Sequence, residues 1–246
     1  MPSYFSKTSR LGRVNTGSVA QRLADTPGVA RTILGAARAA RGMPGADPRA
    51  MSHSWLFTGP PGSGRSLAAI DFAAALMCTD PEEPGCGRCE ACRAVLDAKQ
   101  HTDLVLVDPQ EVIIPVDTVR DVIGRAASLP TVAPWRVVIF NNADRLNNNG
   151  ANALLKTVEE PPARTVIIMC APSDAPEDFS QTLRSRCRHL YIPSPSVESI
   201  TAQLVSEGAS DHDAHLAALT SLRHVGRARR LVNDPAVQKR RAVAIN

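Results

Sequence analysis

The chain has 246 residues, of which 43% are hydrophobic and 21% charged, a globular composition that excludes a collagen-like or extended disordered chain. The length suits one large domain with a small satellite better than two full-sized domains. Aromatic residues make up only 4%, too few for a broad base-stacking platform, and no apolar run approaches the ~18 residues a membrane span requires.

The net charge of +4 is unevenly placed. Beyond residue 220, Arg223, Arg227, Arg229, Arg230, Lys239, Arg240 and Arg241 face a single acid, Asp234, so this tail carries +6 and the rest about −2. A basic helical face of this kind suits a nucleic-acid backbone or an acidic partner, and equally a solvated surface. At the other end, MPSYFSKTSRLGRVNTGS is basic and Ser/Thr-rich without an apolar stretch behind it. It has a transit-like composition but does not read as a secretory signal; residues 1–20 are expected to be poorly ordered and the protein cytoplasmic.

In chain order, the apolar spacing from Val29 through Ala40 predicts a helix, stopped by Gly42 with Pro44 shortly after. A strand follows over Trp55–Thr58, then a helix over Ser66–Met77, a strand over 103–107 and a helix over Val116–Ser128. Next come a strand over 136–140, a helix over Ala151–Glu159 preceded by a polar turn at Asn147–Asn149, and strands over 165–170 and 188–192. Apolar runs separated by helical patterns predict an α/β fold with a parallel sheet covered on both faces. After residues 193–196 (PSPS) only helical spacing remains, so the reading divides the chain into a domain at 21–194 and a small helical domain at 195–246.

The strongest motif is Gly59-Pro60-Pro61-Gly62-Ser63-Gly64-Arg65-Ser66, set between a predicted strand and a predicted helix. Its glycines let backbone N–H groups turn inward around phosphate oxygens, the following helix adds its positive dipole end, and the Ser66 hydroxyl suits Mg²⁺. Arg65 stands where this pattern uses Lys, a wide planar fork in place of a compact charge. That leaves two readings: a pocket that holds ATP and Mg²⁺, or one that Arg65 fills itself. After the strand at 136–140 an Asp for the metal and a Glu for the attacking water would be needed, and the residues there are Asn141 and Asn142. A neutral amide cannot take a proton from water, so hydrolysis in this pocket is expected to be negligible; Asp144 is the one nearby substitute.

Cys78, Cys86, Cys89 and Cys92 lie in a Pro/Gly-rich insertion with spacing suited to a structural, all-thiolate zinc site. A disulfide pair or an iron–sulfur cluster are the alternatives. Cys170 and Cys187 read as core residues. Finally, Thr182-Leu183-Arg184-Ser185-Arg186-Cys187 places arginines at the edge of the core in a chain without its own hydrolytic acids. This suggests a cation donated to another molecule's phosphate, with a plain surface Arg pair as the alternative.

Taken in order, GPPGSGRS, the four-cysteine insertion, NNADRL, ANALLKTVEEPP and LRSRCRHL resemble the bacterial DNA polymerase III clamp loader family over about residues 20–235. The fit is closer to its delta-prime members than to gamma/tau, which carry Lys in the phosphate loop and acids after the third strand. The resemblance implies an AAA+ P-loop module with a helical lid, working in a ring of five that places a sliding clamp on primed DNA, with gamma/tau and delta subunits as partners and no membrane. It implies a trans-acting arginine at Arg186, zinc on Cys78, Cys86, Cys89 and Cys92, a sensor near Ser173, and a lid sensor at Arg227 or, one residue away, at Gly226. Family members continue into a helical collar domain with no counterpart before Asn246. The rival readings are an active gamma/tau-type ATPase and a truncated, inactive remnant.

Overall fold

The computed structural model describes residues 17–109 and 111–233. Residues 1–16 of the stretch expected to be poorly ordered, and Asp234, Lys239, Arg240 and Arg241 of the basic tail, lie outside the described residues. Two compact units result, one from residues 17–58 and 65–191, the other from residues 59–64 and 192–233.

The first unit is built on five strands, β1 (Ser54–Thr58), β2 (Leu104–Val107), β3 (Arg136–Phe140), β4 (Thr165–Ala171) and β5 (Arg188–Tyr191), in the order β2-β3-β4-β1-β5. Every pairing is parallel, with Leu56 opposite Met169 and Val138 opposite Ile167. β1, β3 and β4 are buried at every position, which is why their sequences are continuous apolar runs. Seven helices accompany the sheet: α1 (Val19–Arg22), α2 (Pro27–Ala40), α3 (Arg65–Met77), α4 (Glu90–Leu96), α5 (Val116–Ala126), α6 (Asn148–Glu159) and α7 (Gln181–Arg184). On one face Leu56, Phe140, Ile167 and Met169 share a core with Val119 and Val122 of α5, Leu154 and Val158 of α6, and Leu183 of α7. On the other face Phe72 of α3 meets Trp55 edge-on at 5.1 Å and stacks on Phe57 at 6.2 Å between ring centroids.

Elements depart from the sequence reading where side chains act on the backbone. Asn147 is not part of a turn: its Oδ1 accepts from Gly150 N at 2.9 Å, capping α6, so Asn148 and Asn149 enter the first helical turn. α1 begins inside the stretch expected to be poorly ordered, held by a reciprocal Ser18/Gln21 capping box, and Arg22 at its end pairs with the buried Asp71 of α3 at 2.5 Å. α4 lies within the cysteine insertion and was not legible in the pattern; the Cys89 sulfur caps it by accepting from Cys92 N. Burial pushes the thiols of Cys170 and the partly buried Cys187 up to about 12, as suits packing residues.

The second unit has a core of Ile200 and Leu204 from α8 (Val197–Ser206), Ala214, Ala217 and Ala218 from α9 (Asp211–Thr220), and Ala228 and Val232 from α10 (Val225–Asn233). It also contains residues 59–64, which the division at 194/195 assigns elsewhere.

The amino end of β3 is fixed by a buried ion pair. Arg136 Nη2 donates to Asp103 Oδ1 at 3.0 Å, and both side chains are almost wholly buried. Asp103 also accepts from the backbone N–H groups of Thr131, Val132 and Ala133 at 2.8–2.9 Å. Arg136 Nη1 donates to the carbonyls of Arg125 and Ser128, which draws the chain out of helix two residues before the expected end of α5. Burial alone raises the Asp103 carboxyl, but those N–H groups and the guanidinium outweigh it and hold the group well below its ordinary value. A depressed native value stabilises the fold above the unfolded pKa of about 3.9, and that contribution fades as pH falls below it. Asp103→Ala is therefore expected to cost about 3–5 kcal/mol in urea unfolding at pH 7, because Arg136 is left buried without its partner. The loss should shrink when unfolding is repeated near pH 3.

Candidate functional site

Chemistry-bearing residues follow three of the strands. The loop Gly59–Gly64 follows β1, Asn141 and Asn142 follow β3, and Ser173 stands two residues beyond β4. The loop keeps the shape its sequence requires: Gly62 has φ +86° and Gly64 φ +90°, conformations that residues with a Cβ rarely adopt. Ser63 N donates to Pro60 O at 3.0 Å, closing a turn over the two prolines. The Ser63 hydroxyl is buried and unpartnered, and a Cβ built on Gly59 would lie 2.6 Å from it. A Cβ on Gly62 would lie 2.6 Å from the Cα and 2.7 Å from the Cβ of His224, so this glycine allows the lid residue to approach the loop backbone. His224 had no signal in the sequence, since nothing in its spacing relates it to residue 62.

Arg65 and Ser66 open α3. Burial lowers the pKa of Arg65 from its ordinary value, while Cys170, Asp144 and Asp178 act in the opposite direction. Asp144 thus contributes charge compensation to Arg65. Asn141 is half-buried; its Nδ2 donates to Asp108 Oδ1 at 3.5 Å and its Oδ1 is a buried acceptor without a partner. Asn142 has φ +52° and ψ +52°, a left-handed conformation that Asn tolerates well, and starts the short turn that carries Asp144. The Ser173 hydroxyl donates to Asp178 Oδ2 at 2.6 Å and accepts from Ala175 N at 3.1 Å. In the second unit, Gly226 lies in the first turn of α10 and Arg227 is exposed; Arg229, read in the sequence only as part of the basic tail, forks onto Glu207 at 2.8 and 2.5 Å.

Arg184 and Arg186 separate in role. Arg184 donates Nε and Nη2 to Asp174 Oδ2 at 3.1 and 2.9 Å. Arg186, just before β5, donates Nε to Glu159 Oε1 at 2.5 Å and Nη1 to Thr182 O at 2.9 Å and Ser185 Oγ at 3.2 Å.

The four cysteines converge as their spacing predicts. The sulfurs of Cys78, Cys86, Cys89 and Cys92 all lie within 4.8 Å of one another, with Cys78 and Cys89 at 3.9 Å. Tetrahedral bonds of about 2.3 Å would place sulfurs about 3.8 Å apart, so the cluster has the size of a four-thiolate metal site. Crowding splits the thiols: the neighbouring sulfur of Cys92 lowers Cys78, while that same neighbour, with burial, raises Cys92. The donor set therefore fits one divalent metal ion.

Residues 46–196 match the family described as DNA polymerase III, delta subunit. The chain is 36% identical over 165 residues to DNA polymerase III subunit delta' of Pseudomonas aeruginosa, covering 64% of this chain and 49% of that protein. It is 34% identical to the Escherichia coli subunit delta' (68% and 50% covered) and 33% identical to subunit gamma/tau of Mycobacterium bovis (68% and 30%). The chain thus spans about half the length of its delta' relatives. Among solved structures, the RuvB Holliday junction branch migration motor of Thermotoga maritima superposes with a TM-score of 0.53 at 16% identity (84% of this chain, 60% of that one). A gamma subunit-related protein of the same organism gives 0.50 at 20% identity (74% and 54%). These likenesses show the α/β AAA+ fold. Among the described residues no helix is long and apolar enough to cross a membrane.

Two glycine substitutions test the loop geometry. Gly64→Ala meets no neighbouring atom and is expected to cost only backbone strain, about 1–2 kcal/mol in urea unfolding. Gly62→Ala adds a collision with the His224 backbone and should cost about 1–3 kcal/mol more.

Proposed function

The chain belongs to the DNA polymerase III delta subunit family, and on that footing we propose that it acts as a clamp loader subunit of delta-prime type that does not hydrolyse ATP and lends Arg186 to the ATP site of a gamma/tau-type neighbour. The observation that carries this reading is the pair of amides after β3. Asn141 and Asn142 stand where a Mg²⁺-binding acid and a water-activating acid are needed, and Asp144 lies two to three residues further along the chain.

The direction of the sheet adds support. The phosphate loop leaves the carboxyl end of β1, whereas Arg186 precedes the amino end of β5, β1's parallel neighbour. A four-residue strand separates the two edges by about 13 Å. A cation at the amino edge of the sheet, away from the carboxyl end of β1, suits a phosphate brought by a neighbouring molecule. In this role the assembly, with gamma/tau and delta subunits, would place a sliding clamp on primed DNA. Zinc fits Cys78, Cys86, Cys89 and Cys92 as a structural ion, since four thiolates leave no open position for catalysis.

The purified chain is expected to turn over ATP more slowly than an acid-bearing module by a factor on the order of 10²–10⁴. When it is assembled with gamma/tau- and delta-type subunits from the same genome, Arg186→Ala should lower turnover at the adjoining site by a factor on the order of 10² or more. Vigorous turnover by the chain alone, or an assembly indifferent to Arg186→Ala, would overturn the reading. Metal analysis should find about one zinc ion per chain, lost in the Cys86→Ser, Cys89→Ser double variant together with part of the thermal stability.

A further inference from the structure

Glu159 occupies a position that helix electrostatics disfavours. It is the last residue of α6, at the negative end of the helix dipole, and Glu160 follows it as the C-cap. A local rule broken in this way needs a compensating interaction. Only Glu159 of the two has an ion pair among the described residues, and its partner is Arg186.

The geometry of that pair is selective. Glu159 takes Nε, while Thr182 O and Ser185 Oγ take Nη1. Among the described residues Nη2 has no hydrogen-bond partner, and the Arg186 side chain is 37% exposed. The guanidinium is thus fixed along one side and open at one nitrogen. Arg184 is tied differently: its Nε and Nη2 share one oxygen, Asp174 Oδ2, and the bond that distinguishes Arg186 is the one from Nε to Glu159 at the end of α6.

We propose that Glu159 is the positioning residue for Arg186, holding its guanidinium so that Nη2 faces a phosphate brought by a neighbouring molecule. The proposal rests on the trans role given to Arg186 above. A long side chain that arrives already ordered loses less freedom when the phosphate docks, so the benefit falls on the chemical step more than on nucleotide affinity. The acceptor at Nε, rather than the negative charge, does the positioning.

The test uses the assembled complex and reads kcat and KM for ATP. Arg186→Ala first defines the share of turnover that this chain supports. Glu159→Ala is expected to remove most of that share with KM changed by less than about twofold. Glu159→Gln, which keeps an oxygen to accept from Nε, should restore the greater part, and Glu160→Ala should behave as wild type. Unfolding midpoints of the variants, measured alongside, should coincide. If Arg186→Ala has no effect, the trans role fails and this proposal falls with it. If Arg186→Ala lowers turnover but Glu159→Ala does not, or acts only through KM, Arg186 keeps its role and Glu159 loses the one proposed. A Gln variant as impaired as the Ala variant also overturns it.

Discussion

Every strand of the sheet runs the same way, and most of the arrangement follows from that constraint. Parallel strands leave the sheet at one edge and return at the other, so the segments after β1, β3 and β4 are gathered on the carboxyl edge while those before β4 and β5 lie at the amino edge. Thr58 at the end of β1, where the glycine-rich loop starts, the paired amides after β3 and Ser173 after β4 belong to the first set; Glu159 and Arg186 precede strands in the second. A chain that folds in this way holds its two sets of polar residues apart without any special device, because strand length alone sets the separation of the edges.

The sheet keeps that order by burying its returns as firmly as its strands. Asp103 just before β2 and Arg136 at the start of β3 are charged residues beside otherwise apolar runs, and they satisfy one another together with three backbone N–H groups of the loop before β3 and the carbonyls of Arg125 in α5 and Ser128 beyond it. The reading by apolar runs located β2 and β3 correctly and passed over this pair, because its partners are backbone groups of 125–133, which carry no residue-type signature. The same reasoning accounts for α6: the cap on Gly150 comes from Asn147, a residue that equally announces a turn.

Much of the candidate site was legible. The glycine-rich loop could be read from type and spacing because φ values near +90° admit little else, and the four cysteines because thiols so close in sequence, three of them at every third position, readily converge. The approach of His224 to Gly62, the hold of Asp178 on Ser173 and the fork of Arg229 on Glu207 could not be read, since they join residues whose separation obeys no local period. Residue type and spacing alone did not separate Arg184 from Arg186, which only the family resemblance singled out; their different acid partners, Asp174 and Glu159, appear only in the fold.

The left-handed backbone at Asn142 bears on how this chain could change over time. An amide side chain sits comfortably at φ +52°, whereas a glutamate introduced there would inherit a conformation that costs a longer side chain about 1–2 kcal/mol. A glutamate at 142 would therefore load that strain onto the turn that carries Ala143 and Asp144, whereas an aspartate would be accommodated about as well as the amide. The backbone at this position thus admits the shorter acid and penalises the longer one.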